Sequence, residues 1–175
     1  MNKEQIVKLV KSITGYGTIK PENAQPPAEC NQIETALVLG FIQQESDFRP
    51  EVWRNDRNGG SYGLMQLDLQ TAYDVGFPTN KSGKDLYDPE TNIKYALAYL
   101  AAIKRYLKAH NAYTEENHIA AYNIGMGAVV RHVNAKIPGQ LDAYYVRKVT
   151  EYRDHWRAVL ATEGTLIGKP PSSKP

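Results

Sequence analysis

Residues 36–66, ALVLGFIQQESDFRPEVWRNDRNGGSYGLMQ, decide how the rest of the chain is read. An apolar run ends in one carboxylate, Glu45. A polar, glycine-rich loop follows and closes on Gly63-Leu64-Met65-Gln66. Ile33, Ala36, Leu37, Gly40 and Phe41 fall at i, i+3, i+4, i+7 and i+8, and Glu45 continues the row of Leu37 and Phe41 one turn on. This spacing predicts a helix over about 29–46, with Glu45 in its last turn on the core-facing side. There, burial and the negative end of the helix dipole both disfavour the ionised form, so a raised pKa is expected. Periodicity alone leaves an ordinary terminal-turn glutamate as an equal reading. Gly40, on the same face, leaves room for another backbone to approach.

Outward from this helix, Pro50 and the residues of NDRNGG (55–60) predict a loop over 47–62, because they tolerate turn and left-handed conformations. Trp53 within it reads either as a lid over apolar surface or as a platform for a sugar ring. A short helix over 69–75 is expected next, stopped by Gly76, and Asp68 reads most simply as its N-cap. The fold class is all-α, with a short hairpin in the 54–63 loop as the one place for strands.

The remaining chain supplies further helices. Asn2 and Gln5 make a capping pair for a helix over 2–14. The prolines of 20–27 mark a connecting loop, and 76–87 reads as another. Asp88-Pro89-Glu90 opens the clearest helix, an Asp N-cap with proline at the first position, running to about His110. Its dense apolar residues predict the buried central helix. Thr114 caps a helix through Asn123, residues 128–134 form a short one, and 142–162 the last, carrying Tyr145, Val149, Tyr152 and Trp156 at helical spacing. Gly164 ends it. One domain is expected over 1–165, with a disordered tail over 166–175.

Totals exclude several classes. The chain has 175 residues, 42% hydrophobic and 23% charged, as expected of one globular domain. A net charge of +2 without basic blocks does not indicate nucleic-acid binding. A single cysteine, Cys30, excludes an internal disulfide framework and a cysteine-based zinc site. His110, His118, His132 and His155 lack ligand spacing, so neither metal nor cofactor is expected. No signal peptide and no membrane-spanning run is visible, so the chain is made without a signal or is numbered after its removal. A monomer is expected.

Twelve tyrosines and two tryptophans suit a carbohydrate cleft, and a sheltered carboxylic acid suits glycosidic-bond cleavage. Three segments in order carry a more specific signal: Glu45-Ser46 after an apolar helix, Gly63-Leu64-Met65-Gln66 after a glycine-rich loop, and Ala121-Tyr122-Asn123 before a glycine. Together with 88–93 (DPETNI) and 145–149 (YVRKV), they resemble the soluble lytic transglycosylase family over about 33–157. The resemblance implies a lysozyme-like fold and, as substrate, peptidoglycan, cut between N-acetylmuramic acid and N-acetylglucosamine. Glu45 would be the single acid, then base. Met65, Gln66, Tyr122, Asn123 and Tyr145 would line the cleft, with Ser46, Ser61 and Tyr62 beside them.

Residues 56–68 also resemble the matching loop of goose-type lysozymes, which hydrolyse the bond and use aspartates to position water. Asp56 and Asp68 match those positions. Here the loop is one residue longer, and the proline usual after this motif in the transglycosylases is missing. Transglycosylase chemistry is the reading adopted, with the hydrolase as alternative and a non-catalytic glycan-binding wall protein as a third reading. The setting expected is a phage endolysin or virion-associated lysin, with an exported bacterial enzyme as its rival.

Overall fold

The computed structural model describes residues 1–15, 33–55 and 59–167, with side chains through Thr162. In order, the elements are α1 (Lys3–Thr14), α2 (Thr35–Ser46), β1 (Trp53–Arg54), β2 (Ser61–Tyr62), β3 (Leu67–Asp68), α3 (Leu69–Asp74), a 3-10 helix (Gly83–Tyr87), α4 (Pro89–Ala109), α5 (Glu115–Ile124), α6 (Met126–Asn134) and α7 (Ala143–Ile167). The fold is all-α around one small sheet, as the patterning predicts.

The expected capping box opens α1. Asn2 Oδ1 accepts from the Gln5 amide and Gln5 Oε1 from the Asn2 amide, each at 2.9 Å, and Gly15, at φ 74°, closes the helix. The α2 helix begins at Thr35 rather than 29; Ile33 and Glu34 precede it, and residues 29–32, with Cys30, lie outside the described residues.

The expectation of α4 as the buried central helix is corrected. That place belongs to α2, whose residues 35–42 are all buried. Its sequence from Thr35 to Gln44 contains no charge, so every face can be covered. By contrast α4 keeps Lys94, Arg105 and Lys108 on an exposed side. Leu39, Phe41 and Ile42 are wholly removed from solvent, each worth about 1.5–3 kcal/mol of hydrophobic burial.

Gly40 is where α7 crosses α2. A Cβ there would sit 3.0 Å from both the Val149 carbonyl oxygen and the Arg153 amide nitrogen. The close approach expected from the sequence is thus made by α7. That helix continues through Gly164 to Ile167, past its expected end. A single helical glycine costs only about 1 kcal/mol, which a long packed helix absorbs. Residues 166 and 167 of the expected tail are therefore helical, and 168–175 lie outside the described residues.

The hairpin expected over 54–63 is present and extends further. Trp53 pairs with Tyr62 and Arg54 with Ser61, and then Ser61 pairs with Asp68 and Tyr62 with Leu67. The sheet is three-stranded in the order β1-β2-β3, so the 63–66 segment forms its second turn. Beneath it Leu67, Ala72, Phe77 and Leu86 make a minor core beside the main one. The 3-10 helix falls within the expected loop at 76–87; its start is fixed by the Ser82 amide donating to Asp85 Oδ2 at 2.9 Å.

Candidate active site

Glu45 lies in the last turn of α2, with 7% of its surface exposed. Asp47 and Phe48 follow at φ 50° and 61°, turning the chain sharply away. Phe48 anchors the turn by packing on Trp156 with ring centroids 5.5 Å apart. Two side chains from distant elements meet the Glu45 carboxyl group. Tyr145, near the start of α7, donates its hydroxyl to Oε1. Arg54, from β1, brings Nη1 to 3.4 Å of Oε2, while its Nη2 donates to the Glu45 carbonyl oxygen. Burial pushes the Glu45 pKa above the ordinary carboxylate value; the Tyr145 hydrogen bond and the Arg54 charge pull the other way and do not overcome it.

Residues 63–66 form the opposite wall. Gly63 adopts φ 74°, and a Cβ there would collide with the Leu86 carbonyl and the Asn92 side chain, so glycine is required on two counts. Asn92, wholly buried in the first turn of α4, holds the segment with every polar atom used. Its Oδ1 accepts from the Met65 amide at 2.8 Å, and its Nδ2 donates to the carbonyls of Tyr62 at 2.8 Å and Leu86 at 2.9 Å. From the other side the Tyr122 hydroxyl donates to the Met65 carbonyl at 2.8 Å. The Ser46 hydroxyl ties α2 to the segment by donating to the Leu64 carbonyl at 2.8 Å.

Gln66 follows in a left-handed conformation, φ 48°. Its Nε2 donates to the carbonyls of Val52 at 3.0 Å and Gly63 at 2.9 Å. Its Oε1 is buried without a hydrogen-bond partner, an acceptor left open beside the turn. Burial, reinforced by the nearby Glu45 carboxylate, pushes the hydroxyls of Tyr122 and Tyr145 well above the usual tyrosine range, so both remain neutral donors.

The expected site residues therefore separate. Glu45, Tyr145, Tyr122 and the 63–66 segment converge. Ser46 and Met65 are 1% and 0% exposed and stand within the wall rather than on an open face. Ser61 and Tyr62 occupy β2, where Tyr62 packs edge-on to Tyr87 at 5.6 Å. The exposed Asn123 donates to Asp142 Oδ2 at 2.7 Å. Asp68 caps α3: Oδ1 accepts from the Thr71 amide at 2.9 Å and Oδ2 from its hydroxyl at 2.5 Å. Asp56 lies outside the described residues. Trp53 is 48% exposed on β1.

Two residues were not singled out from sequence. Arg54 gave no signal, because its direction depends on hairpin register. Asn92 did carry one: it sits among the apolar residues of α4, where a buried polar side chain must find partners. Among the described residues, no group of three or more histidine, cysteine, aspartate or glutamate side chains is placed to hold a metal ion.

A sheltered glutamate ending a buried helix, faced by a small sheet and a glycine-led turn, sits here in a lysozyme-like fold. The structure resembles that of the 70 kDa soluble lytic transglycosylase from Escherichia coli, with a TM-score of 0.53 and 27% identity, over 84% of this chain and 21% of that one. The chain belongs to the transglycosylase SLT domain family, whose description matches residues 22–139. It is 38% identical over 108 residues to the membrane-bound lytic murein transglycosylase C of Yersinia pestis (strain Pestoides F) and, equally, of Yersinia pseudotuberculosis serotype O:1b. The matched region is 57% of this chain and 29% of each relative, so the chain spans under a third of their length. Among the described residues no helix is long and apolar enough to cross a membrane.

Proposed function

We propose that this domain is a lytic transglycosylase acting on peptidoglycan, and that Glu45 is its single acid and base. Protonated Glu45 gives its proton to the glycosidic oxygen as the bond between the muramic C1 and that oxygen breaks. The positive charge left at C1 is met by the 6-hydroxyl of the same sugar, whose proton returns to the Glu45 carboxylate. The product is a 1,6-anhydro ring, and no water is consumed. Because the attacking hydroxyl belongs to the substrate, proximity replaces a second catalytic carboxylate.

The observation that carries this reading is the Glu45 carboxyl itself, buried at the end of α2 with its pKa raised by that burial. An acid near neutral pH needs this environment. Tyr145 orients the carboxyl through its hydrogen bond. On this reading the Gln66 Oε1, buried without a hydrogen-bond partner, is an acceptor that a sugar hydroxyl or amide would satisfy once the side chain turns toward it. Tyr122 fixes the wall that carries it, and Ser46 and Met65 act within that wall. Asn123, Ser61 and Tyr62 stand on the more open flanks. On this reading the place of action is the bacterial cell wall.

The hydrolase alternative needs an aspartate free to activate water. Both oxygens of Asp68 are engaged by Thr71, which favours the single-acid route; Asp56 remains the aspartate on which the alternative rests. Glu45→Gln should cut the clearing of bacterial walls by about 10²–10⁴-fold with an unchanged circular-dichroism spectrum. Full activity in that variant contradicts the assignment, and wall binding without released fragments in the unaltered protein would point to a non-catalytic glycan binder.

A further inference from the structure

The contact between Arg54 and Glu45 has a consequence for a mechanism that uses one carboxylate twice. Burial favours the neutral acid needed first, but the second half of the cycle needs the ionised base. We propose that Arg54 is a positioning residue that poises Glu45 between these two forms. This rests on the reading of Glu45 as acid and base.

The geometry suits that role in three respects. First, Arg54 grips two parts of one residue: Nη2 takes the Glu45 backbone carbonyl at the end of α2, while Nη1 stands 3.4 Å from Oε2. The backbone grip holds the cation in place whatever the charge on the carboxyl group. Second, Tyr145 occupies the other oxygen, Oε1, so the carboxyl is held at two points. Third, the Arg54 side chain is 54% exposed, so water and salt weaken its pull. Its effect is therefore graded, a pull toward the ionised form that leaves the net shift on the side of the acid.

The groups acting on the Glu45 carboxyl can be named element by element. Tyr145 comes from α7, Tyr122 from α5 and Arg54 from β1. Beyond the two tyrosines lie the carboxylates of Asp142 and Asp68. Both tyrosine hydroxyls stay neutral through the neutral range, and the guanidinium stays charged. Within this group, the alkaline limb of the pH profile reports the loss of the proton from Glu45, and Arg54 is the described cation that moves it.

The test is the pH dependence of kcat/KM for solubilisation of purified peptidoglycan. Arg54→Gln removes the cation, so the alkaline limb should move upward by about half to one pH unit, a reduced form of the one to three units an opposite charge commands. Arg54→Lys, which keeps the charge, should stay close to the unaltered protein. Raising the salt concentration should move the limb upward in the unaltered protein and leave Arg54→Gln unmoved. A direct titration of the Glu45 carboxyl carbon by NMR at low and high salt, on the unaltered protein, gives the same answer without any variant. A limb and a titration indifferent to salt, or an Arg54→Gln limb at the original pH, overturn the proposal. If Glu45→Gln retains full activity, it is the underlying reading of Glu45 that fails.

Discussion

A carboxyl group kept 7% exposed at a helix end costs stability at neutral pH, where burial disfavours its ionised form. The folded pKa of Glu45 is raised above its unfolded value, so the folded state binds this proton more tightly than the unfolded chain. That contribution is fully present below the ordinary glutamate value, about 4.3, and is lost as pH rises through the folded pKa. Glu45→Gln should therefore melt higher than the unaltered protein at pH 7–8, by about 2–4 °C for each kcal/mol relieved. The gap should vanish near pH 4, and scanning calorimetry at the two pH values checks this. Tyr145→Phe removes a donor that favours the ionised form. Its alkaline limb should move upward, as for Arg54→Gln, while kcat falls at least about tenfold through loss of orientation. At this scale Glu45 was legible because helical phase fixes a side chain's direction. Arg54 was not, because strand register fixes its direction, and a one-residue slip in a loop rich in glycine and asparagine would turn it away.

Between elements, the site depends on two joints. One is Asn92, which ties α4 by one hydrogen bond each to Met65 in the 63–66 segment, to Tyr62 on β2 and to Leu86 of the 3-10 helix. Asn92→Ala leaves the Met65 amide and two carbonyls without partners, at about 1–3 kcal/mol for each group that stays buried and unsatisfied. The urea midpoint should fall accordingly, and activity should fall with it as the wall loosens. A shift within about 0.5 kcal/mol, the range of an ordinary surface change, would remove Asn92 from the account. The other joint is Gly40, where α7 meets α2 at 3.0 Å from an added Cβ. Here backbone atoms on both sides resist relaxation, so Gly40→Ala should lower the melting temperature despite alanine's better helix propensity. Helix positions and caps were legible from periodicity and N-cap chemistry. The relative burial of α2 and α4 was not: an apolar row shows that one face is covered, and only the partners decide how many faces are.

For the molecule as a whole, the resistance of the fold to acid adds a prediction independent of the site. His118 is 2% exposed, and its Nε2 lies 2.9 Å from the Leu100 carbonyl, which it meets as a donor. Burial lowers its pKa, outweighing that hydrogen bond. Its neutral form is therefore favoured in the fold, and its contribution is present above the unfolded histidine value, about 6.5, and lost as pH falls through the window below it. Replacing His118 with glutamine should flatten the dependence of melting temperature on pH in the window below about 6.5. The all-α architecture and the hairpin in the glycine-rich loop were legible because short-range chemistry specifies them. The third strand and the 3-10 helix were not, since two-residue strands and single turns take their form from what they pack against.

On the proposed mechanism Glu45 alone, with the sugar's own 6-hydroxyl, completes the reaction. Mass spectrometry of the fragments released from purified peptidoglycan tests it most directly. The fragments should be muropeptides ending in 1,6-anhydro-muramic acid, each lighter by one water than its hydrolysed counterpart and unchanged by borohydride. Reducing ends that borohydride converts to muramitol, formed from the first minutes of digestion, would contradict it and return the role of water to the loop that precedes Gly63.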